Sequence, residues 1–534
     1  MSKTILIVDD DISVLKSLEK LFKKEDYEVV CVSSGKEALE WIEKRDFDLV
    51  IIDIRMPDLD GIETTKKIKE IRRNKSKPDI PVVFITGYSD VVAIEKAKQY
   101  GEVVLKPFDL DEFLSRIKQQ CTKRRVVITG LGVVAPNGIG KDEFWEANIK
   151  GRSGVELIKD FDTSNLNSKI AAQVKNFNPT QYMTKLLAKK VDRFTQFGIA
   201  ASKLALEDSK LELEKEDKGH IGVSIGTGLG GILYHEEVVL QMYKDKFSKV
   251  DPLSVPKVTS NAASSNVAII FSLIGPNATM STACAAGAHG IGYAYDLIRL
   301  GRADIMFAGG AEAPITPFTL CTFDALKVLS KHNDIPQEAS RPFDKDRDGF
   351  VIGEGGGVVI LEELNHALNR NVHIYAEIIG YSLTSGAHHM VIPAVEGKDI
   401  ARTMFLAIKE TNVDPGKINY INAHGTSTQA NDKAETQAIK EVFGDHAYKI
   451  PISSTKSMIG HSLGASGAIG VIVCALTIEN SLIPPTINYK HMDPECDLDY
   501  VPNQARKARV DFALSNTFGF GNNNISIIIK RFEG

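Results

Sequence analysis

Cysteines are scarce in this 534-residue chain. The six cysteines form no CxxC pair, and they lie at positions 31, 121, 284, 321, 474 and 496. Neither a disulfide framework nor a thiolate zinc site is therefore indicated, and a reducing, cytoplasmic location is expected.

Neither sign of charge dominates, and long apolar runs are missing. The 64 basic and 69 acidic residues give a formal charge of −5, which provides no broad positive field for gripping a phosphate backbone. Acidic residues interrupt the N-terminal apolar stretch too early for a signal peptide, and no run of about 18 apolar residues follows. We therefore expect no nucleic-acid binding, no secretion and no membrane span.

What remains is the composition of an ordinary globular protein. Hydrophobic residues make up 43% and charged residues 25% of the chain, near the averages for such proteins. At roughly 150 residues per domain, the length predicts about three to four domain-sized units.

The first 122 residues alternate short apolar strands with amphipathic helices. Thr4 to Val8, Leu49 to Ile52 and Val82 to Ile85 are β-branched runs typical of buried parallel strands. A last helix is predicted to begin at Asp109. This pattern predicts a doubly wound α/β domain that closes near Cys121.

Polar side chains follow the strands of this domain at their carboxyl ends, where ligands bind in such sheets. They are Asp9, Asp10, Asp53, Thr86 and Lys106. Clustered carboxylates attract a hard cation such as Mg²⁺, while a hydroxyl and an ammonium group can grasp a phosphoryl group that one carboxylate accepts. For any single acid a helix-capping role is an equally good explanation, but the five residues together favour a phosphoryl-transfer site.

These residues stand in motifs that resemble the receiver domain of two-component response regulators: Val8-Asp9-Asp10, Asp53 before Met56-Pro57, Thr86-Gly87 and Lys106-Pro107-Phe108. The resemblance spans residues 1–122 and implies a flavodoxin-like fold, bound Mg²⁺ and a sensor histidine kinase as partner. It implies Asp53 as the phosphoacceptor, Thr86 as the switch hydroxyl and Lys106 as the phosphoryl partner. The implied metal ligands are Asp9, Asp10, Asp53 and Arg55. Receivers usually carry an aromatic residue three positions before the lysine, and Val103 stands there instead.

A short basic connector, Thr122 to Arg125, separates this domain from a long Gly-rich α/β segment. About six residues separate the helix end near Lys118 from the next strand, a reach of at most roughly 20 Å, so we expect the two domains to lie close together. No segment of helix-turn-helix size intervenes, which argues against a DNA-binding output.

The segment from Met280 to Ala288 leads from an apolar stretch through Cys284 into small residues that open a buried helix. A cysteine at a helix start faces exposed amide groups and the positive end of the helix dipole, which lower the thiol pKa and make a better nucleophile. A lone cysteine of this kind is more often a buried structural thiol.

Two further segments change that balance. Tyr420 to Thr428 delivers His424 from a strand end into a glycine turn, and Ser454 to His461 delivers Lys456 and His461. Each histidine alone is more often structural. Beside a cysteine, however, two neutral imidazoles that donate through N–H can stabilise an enolate or oxyanion, an effect of roughly 2.7–4 kcal/mol for each well-placed donor. The set therefore indicates carbanion chemistry next to a thioester.

These motifs closely resemble the β-ketoacyl-acyl-carrier-protein synthases of the elongating type, over about Arg125 to Lys530. Two further stretches match, Arg341 to Gly355 and Asn516 to Gly521. The resemblance implies a thiolase fold with five α-β-α-β-α layers, formed by residues 123–534 in two halves of about 125–375 and 376–534. It also implies a homodimer, no organic cofactor, and acyl- and malonyl-acyl-carrier protein as substrates.

The resemblance also assigns roles by position. Cys284 would accept the acyl group, and its N–H with that of Phe520 would form an oxyanion hole. His424 and His461 would assist the decarboxylation of malonyl-carrier protein, giving 3-ketoacyl-carrier protein and CO₂. The remaining implied roles are the supporting pair Lys456 and Glu435, the gates Phe518 and Phe520, the acyl-pocket residue Leu229, and the carrier-protein contacts Lys189, Lys190 and Lys327.

Several positions depart from these patterns or imitate others. Asn522 to Asn524 replace part of the usual Gly-Phe-Gly-Gly loop, and Gln429 and Asn431 stand where proline and glycine are common. Gly226 to Gly231 satisfies GxGxxG, a weak dinucleotide signal. Asp344 to Gly349 imitates a calcium loop whose twelfth position lacks the bidentate glutamate. Neither a nucleotide nor calcium is expected.

The sequence predicts a receiver domain fused to an active elongating ketosynthase, with phosphorylation of Asp53 as the regulatory input. A second hypothesis makes the ketosynthase part a non-catalytic scaffold for signalling or partner binding, which the retained catalytic set argues against. A third, thiolase-like acyl-CoA cleavage, requires a second catalytic cysteine, and neither Cys474 nor Cys496 lies in a suitable motif.

Overall fold

The chain divides into two compact units, residues 1–123 and 124–534. The computed structural model describes residues 3–74, 80–87, 91–121, 124–249, 251–391, 394–411 and 413–533. The predicted boundary after residue 122 and the first half of the connector, residues 122–123, lie outside the described residues.

The first unit is a parallel sheet with a helix after each strand. Its elements are β1 (Thr4–Val8), α1 (Ile12–Lys24), β2 (Glu28–Val32), α2 (Gly35–Lys44), β3 (Leu49–Asp53), α3 (Gly61–Asn74), β4 (Val82–Thr86), α4 (Val91–Lys98), β5 (Glu102–Leu105) and α5 (Leu110–Cys121). The strands run parallel in the order β2-β1-β3-β4-β5. This is the flavodoxin-like order, so the predicted doubly wound fold is confirmed.

Strand β1 shows why the strands of this unit read as unbroken apolar runs. Leu6 and Val8 join the core on one face of the sheet, and Ile5 and Ile7 join the core on the other. Successive side chains of a strand point to opposite faces, so a strand covered on both faces needs apolar residues throughout.

The second unit contains the following strands and helices: β6 (Val126–Ala135), β7 (Gly138–Ile139), α6 (Lys141–Ile149), β8 (Val155–Leu157), β9 (Ile170–Ala172), α7 (Lys185–Ala188), α8 (Arg193–Ser209), β10 (Ile221–Gly226), α9 (Ile232–Lys244), α10 (Ser254–Val258), α11 (Ala262–Phe271), β11 (Asn277–Ala278), α12 (Ala286–Arg299), β12 (Ile305–Glu312), α13 (Pro317–Ala325), β13 (Gly355–Glu363), α14 (Leu364–Asn369), β14 (Ala376–Ser385), α15 (Lys398–Thr411), β15 (Tyr420–Asn422), α16 (Gln429–Phe443), β16 (Ile452–Ser453), α17 (Lys456–Ile459), α18 (Ser466–Asn480), β17 (Leu482–Ile483), β18 (Arg506–Lys507), β19 (Phe512–Gly519) and β20 (Asn523–Lys530).

The main sheet of the second unit repeats one strand pattern twice. Its order is β11-β10-β12-β13-β6-β14-β20-β19-β15-β16, with β7 beside β6. From β6 outwards the neighbours are antiparallel through β13 to β12 and then parallel through β10 to β11. From β14 outwards, β20, β19, β15 and β16 repeat the same directions. The unit is therefore built from two similar halves, a duplication that is not visible in the sequence.

Two helices at equivalent positions of the halves form the middle of the second unit. Helices α12 and α18 pack against each other, with α12 on β10 and β12 and α18 on β13 and β19. Helices α8 and α11 cover the outer face of one half-sheet, and α15 with its neighbour α16 covers that of the other. The result is the predicted five-layered α-β-α-β-α arrangement.

Helix α18 belongs to a long apolar segment of the second unit. Leu463–Asn480 is long and apolar enough to cross a membrane by length and composition, but 89% of it is buried inside the unit. Every residue from Ser466 to Ile478 is buried. A helix that is apolar all round is the form expected of a central core helix.

Candidate active site

Cys284 lies in a single 3-10 turn, Ala283–Ala285, immediately before α12. Ala283 enters this turn in the left-handed region, with φ 49°. Cys284 is 6% exposed. The structure thus places the thiol at the start of a buried helix, where the small residues after Cys284 had predicted it.

The expected lowering of the thiol pKa is wrong. Burial raises the pKa of Cys284 to about 11. The backbone N–H groups of Phe520 and of Cys284 itself, together with the charge of Lys456, favour the thiolate, but the loss of water outweighs them. The thiol therefore carries its proton at neutral pH, and the proton has to leave as the sulfur attacks.

His424 follows β15 in a turn whose backbone is held by one carboxylate. Glu435 of α16 accepts the N–H of His424 through Oε1 at 2.9 Å and the N–H of Gly425 through Oε2 at 2.8 Å. Gly425 has φ 36°, and an added Cβ would lie 2.7 Å from Cβ of Ser454. Only glycine fits this turn, which is why the histidine is followed by one.

His461 stands just before the 3-10 turn that leads into α18, as Cys284 stands in the turn before α12. Its ring lies 5.4 Å from the ring of His424, at an interplanar angle of 85°. Its Nδ1 lies 2.8 Å from Oγ of Ser466. This serine, which orients the imidazole, was not predicted. The sequence feature that could have indicated it is the run rich in Gly and Ser that follows His461.

Burial keeps both histidines neutral. His424 and His461 are each 3% exposed. Burial lowers the pKa of each imidazole well below its usual value, and the positive charge of Lys456 lowers both further. Nδ1 of His424 has no hydrogen-bond partner among the described residues. Neutral imidazoles of this kind can donate an N–H to a developing enolate.

Lys456, at the start of α17, supplies the positive charge of the site. It is 7% exposed, and burial lowers its pKa while the negative charge of Glu435 raises it. Burial in turn raises the pKa of the Glu435 carboxyl. The field of Lys456 acts on the thiol and on both imidazoles, so one buried lysine acts on all three candidate reactive groups.

Cys284, His424 and His461 line one pocket of about 160 Å³. The ring of Phe518 lies 5.6 Å from that of His424, and the ring of Phe520 lies 6.1 Å from that of Phe323. Apolar residues form one part of the wall, namely Phe323, Val328, Phe350, Ile400 and Leu463. Polar residues form another part, namely Asp399, Thr426, Thr428, Asn431, Asn522 and Asn524.

The Gly226–Gly231 loop encloses a carboxylate of the protein instead of presenting its N–H groups to a nucleotide. Glu312, fully buried at the end of β12, accepts the N–H groups of Gly228 at 2.5 Å and Leu229 at 3.0 Å. It also accepts the N–H of Gly464, at 3.0 Å, in the turn before α18. Sequence reasoning missed Glu312, although it is an acid that ends an otherwise apolar strand. Leu229 is 40% exposed, and it is not among the described residues that line the Cys284 pocket.

The Arg341–Phe350 stretch supports the His424 turn from behind. Arg347 is 2% exposed, and its guanidinium lies 3.6 Å from the carboxylate of Asp432. Asp432 accepts the N–H groups of Thr426 at 3.0 Å and Ser427 at 3.2 Å. Two acids of α16, Asp432 and Glu435, therefore hold four consecutive N–H groups that begin at His424.

Gln429 and Asn431, the two residues near this turn that differ from the usual family pattern, both form hydrogen bonds. Gln429 donates to the backbone carbonyl of Arg347 at 2.6 Å, and Asn431 donates to Asp432 at 3.1 Å. The network around the turn is thus complete without the proline and glycine that are common there.

The asparagines that follow Gly521 tie the gate loop to its surroundings. Asn522 has φ 56°, a conformation that asparagine tolerates better than most residues. Its Nδ2 donates to the carbonyl of His389. Nδ2 of Asn524 donates to Oδ2 of Asp399 at 3.2 Å. The Asn522 contact is one that glycine cannot make.

The predicted carrier-protein contacts Lys189, Lys190 and Lys327 are all exposed. Lys327 directly precedes the pocket residue Val328, and Lys189 ends the short helix α7. Of the three lysines, Lys327 is thus the one that neighbours a pocket-lining residue in the sequence.

The two other buried cysteines of the second unit do not line the pocket of Cys284. Cys474 and Cys496 are buried, and burial raises the pKa of both thiols. Neither is among the described residues that line the Cys284 pocket. A second nucleophile, which the thiolase-like hypothesis requires, is not found there.

In the first unit, Lys106 joins two carboxylates at the carboxyl end of the sheet. Its Nζ lies 2.7 Å from Oδ2 of Asp9 and 2.9 Å from Oδ1 of Asp53. Burial raises the pKa of the Asp53 carboxyl, and Lys106 acts against that rise. Thr86 is 2% exposed, and its carbonyl accepts the N–H of Lys106 at 2.7 Å. Three of the five residues singled out from the sequence therefore meet through their side chains, and Thr86 adjoins Lys106 through the backbone.

The predicted metal ligands are gathered only in part. Asp10 is exposed, and Arg55 contacts Asp53 by donating its backbone N–H, at 2.7 Å. Asp9 and Asp53 do offer carboxylate oxygens on the same side of the sheet, the donor type that Mg²⁺ prefers.

One group of three potential metal ligands occurs among the described residues, and it lies in the second unit. Ligand atoms of Asp344, Asp346 and His491 come within 4.8 Å of one another. Asp10 therefore does not complete a three-carboxylate cluster with Asp9 and Asp53. The carboxylate of Asp344 accepts the N–H of His491 at 2.7 Å, so it has a structural use in the loop that imitates a calcium site.

Val103 occupies the position where receivers usually carry an aromatic residue. It is half-buried on β5 and lies beside Phe84 of β4 in the strand register. A ring that could swing as Thr86 moves is absent at this position.

Known families match both units. Residues 123–367 match the family described as "Beta-ketoacyl synthase, N-terminal domain", and residues 375–490 match "Beta-ketoacyl synthase, C-terminal domain". Residues 5–118 match "Response regulator receiver domain".

Individual proteins match over the second unit. The 3-oxoacyl-[acyl-carrier-protein] synthase 2 of Synechocystis sp. is 45% identical over 411 residues, covering 77% of this chain and 99% of that protein. The 3-oxoacyl-[acyl-carrier-protein] synthase 2 of Coxiella burnetii is 45% identical over 409 residues, with the same shares covered. One chain in the solved structure of a type II PKS acyl-carrier protein in complex with its ketosynthase bound to the hexaketide is 38% identical, with a TM-score of 0.72, and the match covers 77% of this chain and 100% of that chain. The chain therefore belongs to the β-ketoacyl synthase family, and a response regulator receiver domain precedes the synthase part.

Proposed function

We propose that this protein is a receiver-linked β-ketoacyl-acyl-carrier-protein synthase that elongates an acyl chain by decarboxylative condensation with malonyl-acyl-carrier protein. The observation that carries the proposal is one buried pocket that holds a protonated thiol and two neutral imidazoles beside a buried lysine. That combination suits enolate chemistry next to a thioester. The domains we assign are residues 1–122 and 123–534, joined near residue 123.

In the first half-reaction, the sulfur of Cys284 attacks the carbonyl of the acyl thioester. The S–H proton leaves, the new S–acyl bond forms, and the carrier thiol departs with a proton. We assign the N–H groups of Cys284 and Phe520 to the oxyanion hole, because both N–H groups lower the pKa of the Cys284 thiol. Phe518 and Phe520 stand on the wall as gates.

In the second half-reaction, malonyl-carrier protein loses CO₂ and its electron pair becomes an enolate. His424 and His461 donate N–H groups to the enolate oxygen, and this requires the neutral form that burial gives them. The enolate carbon attacks the Cys284 thioester, the 3-ketoacyl product forms, and the Cys284 thiolate leaves and is reprotonated. Lys456 stabilises the negative charge, and Glu435 holds the His424 turn.

Carrier protein is the proposed macromolecular partner. Carrier proteins of this kind are acidic, so we assign Lys189, Lys190 and Lys327 as contacts, supported by their exposure. The side chain of Leu229, which is 40% exposed, is assigned to an acyl pocket that a second copy of the chain would complete. A homodimer is supported by the edge strand β11 and by exposed Ile274, 79% accessible, close to it in sequence.

For the receiver, we propose Asp53 as phosphoacceptor and a sensor histidine kinase as donor. Asp9 and Asp53 would hold Mg²⁺, joined by Asp10 once that exposed side chain turns toward them, and the ion would neutralise charge on the phosphoryl oxygens. Lys106, which contacts both Asp9 and Asp53 in this structure, would contact the phosphoryl group. The hydroxyl of Thr86 would move toward the phosphoryl group as the switch. We further propose that phosphorylation alters the condensation rate. A beryllofluoride-treated protein whose rate and domain contacts equal those of the untreated protein would refute this regulation.

The test of the enzyme is the rate of 3-ketoacyl product from acyl- and malonyl-carrier protein. Wild type should turn over, Cys284→Ala should lose at least about 10³-fold because the nucleophile is gone, and Cys321→Ala, at an exposed cysteine, should match wild type. Folded wild-type protein that makes no product over several chain lengths would instead support the scaffold hypothesis.

A further inference from the structure

The polar part of the pocket wall contains one acid among the described residues that line it, Asp399. Asp399 is the second residue of α15 and is half-buried. Its backbone carbonyl accepts the hydroxyl of Thr403 at 2.8 Å, one turn further on. This hydrogen bond fixes the backbone of Asp399 in the first turn of α15.

The two oxygens of this carboxylate have different surroundings. Oδ2 accepts Nδ2 of Asn524 at 3.2 Å. Oδ1 is buried and has no hydrogen-bond partner among the described residues. A buried acceptor without a donor is unfavourable and uncommon in folded proteins. Asp399 lines the Cys284 pocket, so a rotation of its side chain would present this unpaired acceptor to a donor from outside the protein.

The chemistry of the missing donor is narrow. The carboxylate of a malonyl group is excluded, because two like charges at hydrogen-bond distance repel each other. A neutral N–H or O–H fits, and the neighbouring wall residues Thr426, Thr428 and Asn431 also suit a neutral polar ligand. The flexible arm that carries a thioester on an acyl carrier protein contains secondary amides, which supply such N–H groups in the middle of the arm.

We propose that Oδ1 of Asp399 accepts a hydrogen bond from an amide N–H of the arm that carries the thioester. Asp399 is then a binding residue for the arm, and Asn524 fixes its orientation. This assignment rests on the proposed function, since a carrier-borne thioester is what brings such an arm to Cys284.

The test compares malonyl-pantetheine with two analogues, in each of which one amide N–H is replaced by an ester oxygen. Wild type should prefer the amide over one of the esters by about tenfold or more in kcat/KM, because a hydrogen bond to a charged acceptor is lost. Asp399→Ala should erase that preference. Asp399→Asn keeps its carbonyl on Asn524 and turns an NH₂ group toward the arm, so it should reverse the preference. Glu396→Gln, at an exposed acid before α15, should behave like wild type.

The ratio of amide to ester substrate is the deciding readout, because a variant that merely disturbs the gate loop slows both substrates alike. An unchanged ratio in Asp399→Ala and Asp399→Asn would overturn the proposal. Calorimetric binding of pantetheine and its two ester analogues to Cys284→Ala protein gives the same comparison without turnover. Equal affinity for amide and esters there would also overturn it. If that binding shows the preference while wild type forms no product, the proposed function fails and the Asp399 contact stands.

Discussion

The two units each place a lysine among carboxylates, but they use its charge in opposite ways. In the first unit Lys106 bonds directly to Asp9 and Asp53, and its side chain is 24% exposed. In the second unit Lys456 is buried and acts on Glu435 only through its field, while Glu435 is occupied by backbone N–H groups.

The difference follows from what each site has to receive. A phosphoryl group is charged, so the first site holds paired charges that can exchange partners at the edge of a sheet. An acyl thioester is neutral and its enolate is short-lived, so the second site keeps the groups that touch it neutral and places the full charges behind them. Two roles are therefore open to test: Lys106 as a charge that exchanges its hydrogen-bond partners, and Lys456 as a buried charge that acts at a distance.

Asp53→Asn should break the first site completely. The side chain keeps its size, and its amide oxygen can still accept from Lys106, but it can no longer accept a phosphoryl group. Incorporation of phosphate from a small-molecule phosphodonor should fall to background, measured by intact-protein mass spectrometry. Asp58→Asn, at a side chain that is 74% exposed, should be phosphorylated like wild type; phosphate retained by Asp53→Asn would move the acceptor to another residue.

His424→Ala should cost the second site about 10²–10³-fold in the decarboxylation of malonyl-carrier protein, the range for removing one oxyanion donor. Lys456 cannot replace the lost N–H, because it acts through its field and not by contact. The release of CO₂ measures this step separately from condensation. His373→Gln, at a side chain that is 54% exposed, should retain the full rate, and a loss below tenfold in His424→Ala would argue against a donor role.

The sequence predicted these sites to different depths. Asp53, Lys106, Cys284, His424 and His461 stand in contiguous motifs that follow strands, and the structure gathers them. Ser466 and Glu312 act through hydrogen bonds to a neighbouring turn or to a loop far along the chain, and no periodic pattern reports such pairs.

Burial is the second quantity that a motif does not display. The helix start near Cys284 predicted a lowered thiol pKa, but the helix is central to five layers and desolvation raises it instead. The duplication of the second unit is likewise visible only as strand order. Local motifs thus located the chemistry, while its electrostatics depended on long-range packing.

The pH dependence of alkylation tests that electrostatic difference directly. With a Cys284 pKa of about 11, the thiolate fraction is small at neutral pH and rises about tenfold for each unit of pH below the pKa. The iodoacetamide rate at Cys284, followed by peptide mass spectrometry between pH 5.5 and 9, should climb without a plateau. Because both imidazoles have pKa values well below 6.5, no step should appear near that pH. A plateau above pH 7 would instead support the sequence-based prediction that the helix dipole lowers the pKa of the Cys284 thiol.

Glu312→Gln tests whether a carboxylate held by backbone N–H groups needs its charge. Burial raises the pKa of Glu312 and the N–H groups of Gly228 and Leu229 lower it, so its state is balanced by hydrogen bonds and not by a lysine. Glutamine offers one oxygen and one NH₂ group, and the NH₂ group would face backbone donors. We expect a loss of about 1.5–3 kcal/mol in the free energy of unfolding of the second unit, the worth of a hydrogen bond to a charged group. Glu214→Gln, at a side chain that is 89% exposed, should leave it unchanged in the same denaturation experiment. Equal stability of Glu312→Gln and wild type would mean that Glu312 is protonated in the folded protein. Lys456 would then be the fixed charge of the second unit that is left to compare with Lys106.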